Sequence, residues 1–163
     1  MDWHFASVEF LSMKPTVLVI DDNEATRTLI TALLHREFQI DSATDGREAN
    51  EKLRTNQYAA ILLDLRMPQQ DGFSVLDFLR ANSPERLRTV LVVTALLTKR
   101  EIERAKAYGV CDIIAKPFDV EDLLDAVKRC AGQTDNGTLG NVFCSSTPMI
   151  LLIADLLRQF QPR

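Results

Sequence analysis

Five side chains able to do polar chemistry stand where apolar runs of the chain end. Asp21 and Asp22 follow the run Thr16–Ile20, and Asp64 stands near the end of residues 59–65, ahead of Arg66, Met67 and Pro68. Thr94 lies at the end of Val90–Ala95, and Lys116-Pro117 follows residues 110–115. Together these ends carry three carboxylates, one hydroxyl and one ammonium. Three carboxylates brought within a few ångströms repel one another by several kcal/mol in a partly desolvated cleft. A hard divalent cation such as Mg²⁺ takes carboxylate and backbone carbonyl oxygens, and with Lys116 it balances the three negative charges. A hydroxyl donor beside such a set suits a phosphoryl group: cations neutralise its oxygens while a carboxylate attacks in line.

Each residue alone has a simpler reading. Asp22 has the position to cap a helix starting near Glu24. A lone threonine after a strand is most often structural, and a lone lysine is usually solvated. Capping does not account for Asp64, because Pro68 and Gly72 intervene before the next helical pattern.

The elements that must position these residues are short. The runs 16–20, 59–65, 90–95 and 110–115 are rich in β-branched residues and lack alternation, as strands covered on both faces of a parallel sheet do. Residues 38–44 read as a weaker, more exposed strand. Between them lie helical patterns. One spans residues 23–38, and one opens with Asp45 and Glu48. Others follow Asp71-Gly72, open with Thr98 and Glu101 in a capping box, or follow Asp119 with a stripe from Val120 to Ala131. Strand and helix thus alternate five times over residues 15–132, which predicts a three-layer α/β domain around a parallel five-stranded sheet. Sites in such folds collect at the carboxyl ends of the strands, where the five residues stand.

The set resembles the receiver domain of two-component response regulators, of the stand-alone kind that includes the chemotaxis regulators. The resemblance rests on Val17-Leu-Val-Ile-Asp21-Asp22-Asn23, Asp64-Leu-Arg-Met-Pro68 with Asp71-Gly72, Val93-Thr94-Ala95 and Lys116-Pro117-Phe118, in that order over residues 15–132. It implies a doubly wound, flavodoxin-like (βα)5 fold of strand order 2-1-3-4-5, with a cis bond at Lys116-Pro117. It also implies that Asp64 is the phosphoacceptor, and that Asp21, Asp22, Asp64 and the backbone carbonyl of Arg66 bind Mg²⁺. Thr94 would hydrogen-bond the phosphoryl group and Lys116 would pair with it. The phosphate donor would be a sensor histidine kinase or a histidine phosphotransfer protein, and the output a change in a protein-interaction surface near the fourth helix, fifth strand and fifth helix. On this reading the chain is not an enzyme beyond its own phosphorylation and dephosphorylation.

Three positions set this sequence apart from the family pattern. Ile113 stands where most members carry the aromatic residue that swings inward with the threonine. Arg66 and Leu96, two residues beyond Asp64 and Thr94, would border the path of the attacking water and slow dephosphorylation. Two other readings stay open. One is a receiver that never takes phosphate and serves as a docking or dimerisation platform. The other is an aspartyl-phosphate hydrolase of the haloacid-dehalogenase kind, although the adjacent pair Asp21-Asp22 is not its Asp-x-Asp.

The rest of the chain bounds these readings. Its 163 residues carry 19 Lys plus Arg against 23 Asp plus Glu, net −4, so no basic surplus points to nucleic acid. No apolar run reaches the length of a membrane span, and the start has no secretory pattern, so a cytoplasmic protein is expected. Cys111, Cys130 and Cys144 show no metal-ligand spacing and are expected as reduced thiols, two of them packed as small apolar residues. Residues 1–14 form an extension. Residues 133–163 comprise a polar linker and an apolar helical pattern over 148–160, which is expected to dock on its own domain, on a partner or on a second copy as a homodimer. No DNA-binding effector is expected in that segment.

Overall fold

In the computed structural model, which describes residues 14–68, 72–95 and 98–132, strands and helices alternate as the sequence predicts. The strands are β1 (Thr16–Ile20), β2 (Gln39–Ala43), β3 (Ala60–Leu63), β4 (Val90–Ala95) and β5 (Asp112–Lys116). The helices are α1 (Glu24–Leu34), α2 (Gly46–Thr55), α3 (Phe73–Asn82), α4 (Lys99–Ala107) and α5 (Val120–Cys130). All neighbouring strands pair in parallel in the order β2-β1-β3-β4-β5.

The inner strands β1, β3 and β4 are buried on both faces because successive side chains point to opposite sides and both sides are apolar. Val17, Val19, Ala60, Leu62, Leu91 and Val93 pack with Ile30 and Leu34 of α1 and with Leu123, Ala126 and Val127 of α5. Leu18, Ile20, Ile61, Leu63, Val90 and Val92 pack with Ala49 and Leu53 of α2, with Phe73, Leu76 and Leu79 of α3 and with Ala105 of α4. Hence these three strands read as unbroken hydrophobic runs, whereas the edge strand β2 (Gln-Ile-Asp-Ser-Ala) does not.

Local signals set the helix ends, with three departures from expectation. The Asn23 side chain, not Asp22, caps α1 by accepting from the Thr26 N–H at 3.1 Å. The pattern expected to run to residue 38 ends at Leu34, and Phe38 turns into the core beside α1. Asp45 accepts from the Glu48 N–H, while the Glu48 carboxylate turns to Thr44 instead of closing a box. Thr98 and Glu101 do form the full capping box.

A 3-10 helix over Pro84–Thr89, absent from the sequence reading, buries Arg86, whose guanidinium donates to the carbonyls of Leu53 at 2.8 Å and Asn56 at 3.2 Å. Arg86 thereby closes the carboxyl end of α2, while burial pulls its guanidinium below the ordinary arginine value.

Cys111 and Cys130 are joined by a disulfide, which corrects the expectation of free thiols. The cause is topological: α5 returns along β5, so its last residue ends beside the residue that precedes β5. Cys144, the extension 1–13 and the segment 133–163, with its expected helix and dimer contact, lie outside the described residues. No described helix is long and apolar enough to cross a membrane.

Candidate functional site

The carboxyl ends of β1, β3, β4 and β5 bring the predicted residues to one edge of the sheet. Asp21 follows β1 directly, Asp64 follows β3, Thr94 lies in β4, and Lys116 is the last residue of β5. Because β1 pairs with β3, β3 with β4 and β4 with β5, these ends form a continuous rim. Asp21 is 2 % exposed, Asp64 6 % and Thr94 0 %, whereas Asp22 is exposed.

Lys116 is the centre of the charge arrangement. Its ammonium donates to Asp21 Oδ2 at 2.5 Å and to Asp64 Oδ2 at 2.6 Å. Burial works to lower its pKa, but the hydrogen bonds it donates to both carboxylates outweigh burial and hold it above the usual lysine value. The Lys116-Pro117 bond is cis, as the resemblance implied.

The other carboxylate oxygens are held by backbone. Asp21 Oδ1 accepts from the Asn23 N–H at 2.8 Å, and Asp64 Oδ1 accepts from the Arg66 N–H at 2.8 Å. Arg27 fixes the β1 end by donating to the Asp21 carbonyl at 2.7 Å. The sequence reading missed Arg27; its signal is the four-residue spacing from Asn23 on the first helix. Arg66 points its guanidinium at Glu101 of α4, 3.5 Å away, and Leu96 lies outside the described residues.

Gly72 supports the loop that carries Asp64. Its N–H donates to the Leu65 carbonyl at 3.1 Å, and a Cβ there would sit 2.3 Å from the Asp64 carbonyl oxygen. The loop therefore packs on α3 too closely for any side chain, which explains the glycine as close approach, with an ordinary helical φ.

Two observations bear on what this rim accepts. Asp21, Asp22 and Asp64 each present a carboxylate oxygen, all within 4.8 Å of one another. One ammonium leaves that cluster with surplus negative charge, and an all-oxygen donor set fits a hard divalent cation. Thr94 Oγ1 is fully buried and has no hydrogen-bond partner among the described residues, a costly condition that an arriving oxygen acceptor would relieve.

Ile113 lies on β5 three residues before Lys116 and packs toward the core face shared with Phe73 and Tyr108. Its branched aliphatic side chain offers neither ring edge nor hydroxyl, so among the described residues the hydroxyl of Thr94 stands without an aromatic counterpart at that position.

Comparison with known proteins agrees with this geometry. The family model for the response regulator receiver domain matches residues 17–128. The transcriptional regulatory protein SrrA of Staphylococcus aureus is 34% identical over 130 residues, covering 78% of this chain and 52% of SrrA. The chain thus spans about half the length of the curated relatives it matches. Among solved structures, the chemotaxis protein CheY4 of Vibrio cholerae superimposes with TM-score 0.66 at 28% identity, over 73% of this chain and 99% of that one. The receiver domain of the sensor histidine kinase PA1611 from Pseudomonas aeruginosa, with a magnesium ion in its active-site cleft, gives TM-score 0.65 at 30% identity, over 73% and 98%. Sequence and fold agree: the chain belongs to the response regulator receiver domain family of two-component signalling.

Proposed function

We propose that this domain is a phosphorylation-controlled switch in which Asp64 accepts a phosphoryl group from a sensor histidine kinase or a histidine phosphotransfer protein. The observation that carries the reading is the convergence of Lys116 on Asp64 and Asp21, beside a buried Thr94 hydroxyl without a partner among the described residues.

Asp64 is the nucleophile because it is the carboxylate at the centre of the rim, buried and oriented through both oxygens. Its oxygen attacks phosphorus as the donor's phosphorus–nitrogen bond breaks, leaving an acyl phosphate on Asp64 and a free imidazole on the donor. Lys116 shifts from pairing the Asp64 carboxylate to pairing a phosphoryl oxygen, and the Thr94 hydroxyl donates to another. Asp21, Asp22, Asp64 and the Arg66 carbonyl would hold Mg²⁺, which when bound supplies charge neutralisation for the phosphoryl oxygens. Mg²⁺ fits here on the donor set itself. The chemistry is one self-modification and its hydrolysis, with no turnover of an external substrate, and the product is a changed surface on α4, β5 and α5 read by a partner protein. The same reading places the domain in the cytoplasm with its kinase.

Intact-mass spectrometry after incubation with Mg²⁺ and acetyl phosphate tests this reading. One added phosphoryl group on the native chain and none on Asp64→Asn is the expected result. Absence of any adduct, with Mg²⁺ binding confirmed, would leave the domain as an unphosphorylated docking platform.

A further inference from the structure

The disulfide lies at the other end of β5 from Lys116. Cys111 immediately precedes β5, Cys130 is the last residue of α5, and their Cα atoms are 5.7 Å apart. The adjoining residues meet as well: Arg129 donates to Asp112 at 2.8 Å, so two successive positions of each element face each other. That ion pair is exposed on both sides and contributes little by itself. The covalent bond is the strong tie at this corner.

The two sulfurs differ in access. Cys130 is 5 % exposed and packs in the apolar layer with Val127 and Leu34, whereas Cys111 packs against the edge of that layer and is only part-buried. Cys111 also lines a cavity of about 310 Å³ with Ile102, Lys106, Val110, Asp112 and Ile113, open to solvent beside α4. A small thiol can therefore reach Cys111, and the charged groups it meets in the cavity are the Lys106 ammonium and the Asp112 carboxylate, the latter already paired with Arg129. Thiol–disulfide exchange needs one reachable sulfur with its partner held within bonding range, and unequal access directs the attack to one of the two.

We propose that Cys111 and Cys130 form a redox-interconverting modification site whose co-reactant is a low-molecular-weight disulfide or thiol of the glutathione class, and whose state decides whether the last turn of α5 is tied to β5. In oxidation, the Cys111 thiolate attacks one sulfur of the small disulfide and expels one thiolate, forming a mixed disulfide. The Cys130 thiolate then attacks the Cys111 sulfur and expels the second thiolate. The two protons lost by the cysteines end on the two small thiols, and the cysteine pair is oxidised by two electrons while the small disulfide is reduced. Reduction runs the same exchange backwards, starting at Cys111. The site shares no residue with the Asp64 cluster, so the proposal does not depend on phosphorylation.

The test uses the full 163-residue chain. It is equilibrated across glutathione buffers from fully reduced to fully oxidised, quenched in acid and alkylated with N-ethylmaleimide. Intact mass and peptide mapping are expected to count three alkylated thiols at the reduced end and one, Cys144, at the oxidised end, with a cross-linked Cys111–Cys130 peptide. Hydrogen exchange at the amides of Cys130 and Ala131 is expected to quicken on reduction, and Cys111→Ser to match the reduced native chain at every ratio. Comparing the native chain in its two states makes the same measurement without any substitution. Three alkylated thiols at every ratio, a bond involving Cys144, a glutathione adduct on Cys111 that Cys130 never displaces, or exchange unchanged by reduction would each overturn the proposal.

Discussion

Lys116 Nζ lies 2.6 Å from Asp64 Oδ2, although the two residues are 52 positions apart and their strands, β5 and β3, do not pair. The long lysine side chain crosses the end of β4 to make this contact. It also reaches Asp21 at the end of β1, so one ammonium links the ends of three strands.

Thr94 is a position where stability and function are expected to oppose each other. Its buried hydroxyl has no partner among the described residues, so Thr94→Val, which keeps the shape and removes the polar group, should stabilise the unphosphorylated protein by about 1 kcal/mol. The same variant loses the donor to the phosphoryl group and should accumulate less phosphoprotein. Urea unfolding and acetyl-phosphate labelling measured together check both halves.

Asp22 is exposed and adds a third like charge to the cluster. Asp22→Ala should leave stability without added ion within about 0.5 kcal/mol of native. Mg²⁺ at a hundredfold over its dissociation constant should stabilise the native chain by about 2.7 kcal/mol. The variant should need a higher Mg²⁺ concentration for the same gain, read as the shift of Tm with ion concentration.

Gly72→Ala places a methyl group 2.3 Å from the Asp64 carbonyl oxygen, with backbone on both sides of the contact. Relief requires moving the Asp64 loop or α3. The expected cost is about 1–3 kcal/mol in denaturant unfolding, accompanied by slower phosphorylation because Asp64 is displaced.

Asp41 on β2 provides a pH signature away from the site. Burial acts to raise its pKa, but hydrogen bonds from Lys52 at 2.6 Å, the Tyr58 hydroxyl at 2.7 Å and the Ser42 N–H at 2.8 Å outweigh burial and hold it below the usual value. A depressed carboxylate contributes stability that is complete above its unfolded pKa of about 3.9 and is lost as pH falls through the folded value. Asp41→Asn should therefore be less stable than native at neutral pH. The gap should close as pH drops below about 4, followed by denaturation at a series of pH values.

Arg66 follows Asp64 by two residues, and its guanidinium is drawn to Glu101. As a bulky side chain at the rim it should retard the attacking water, so Arg66→Ala is expected to shorten the lifetime of the phosphorylated domain. A longer lifetime, measured by loss of the phosphoryl mass with time, would count against that role.

The sequence by itself determined the strands, because β1, β3 and β4 are apolar on both faces and that pattern has few other uses. It also determined which residues stand at the strand ends, since Asp21, Asp64, Thr94 and Lys116 each break or border an apolar run. Local caps were legible where the signal spans three or four residues, as in Thr98 with Glu101, and ambiguous where two candidates stand side by side, as with Asp22 and Asn23. Only the tertiary structure decided which distant groups meet. Strand order set Lys116 on Asp21 and Asp64, the antiparallel return of α5 along β5 set Cys130 on Cys111, and the 3-10 helix set Arg86 under the end of α2. The reason is physical: hydrophobic period and capping chemistry act over a few residues, whereas these contacts depend on how whole elements cross.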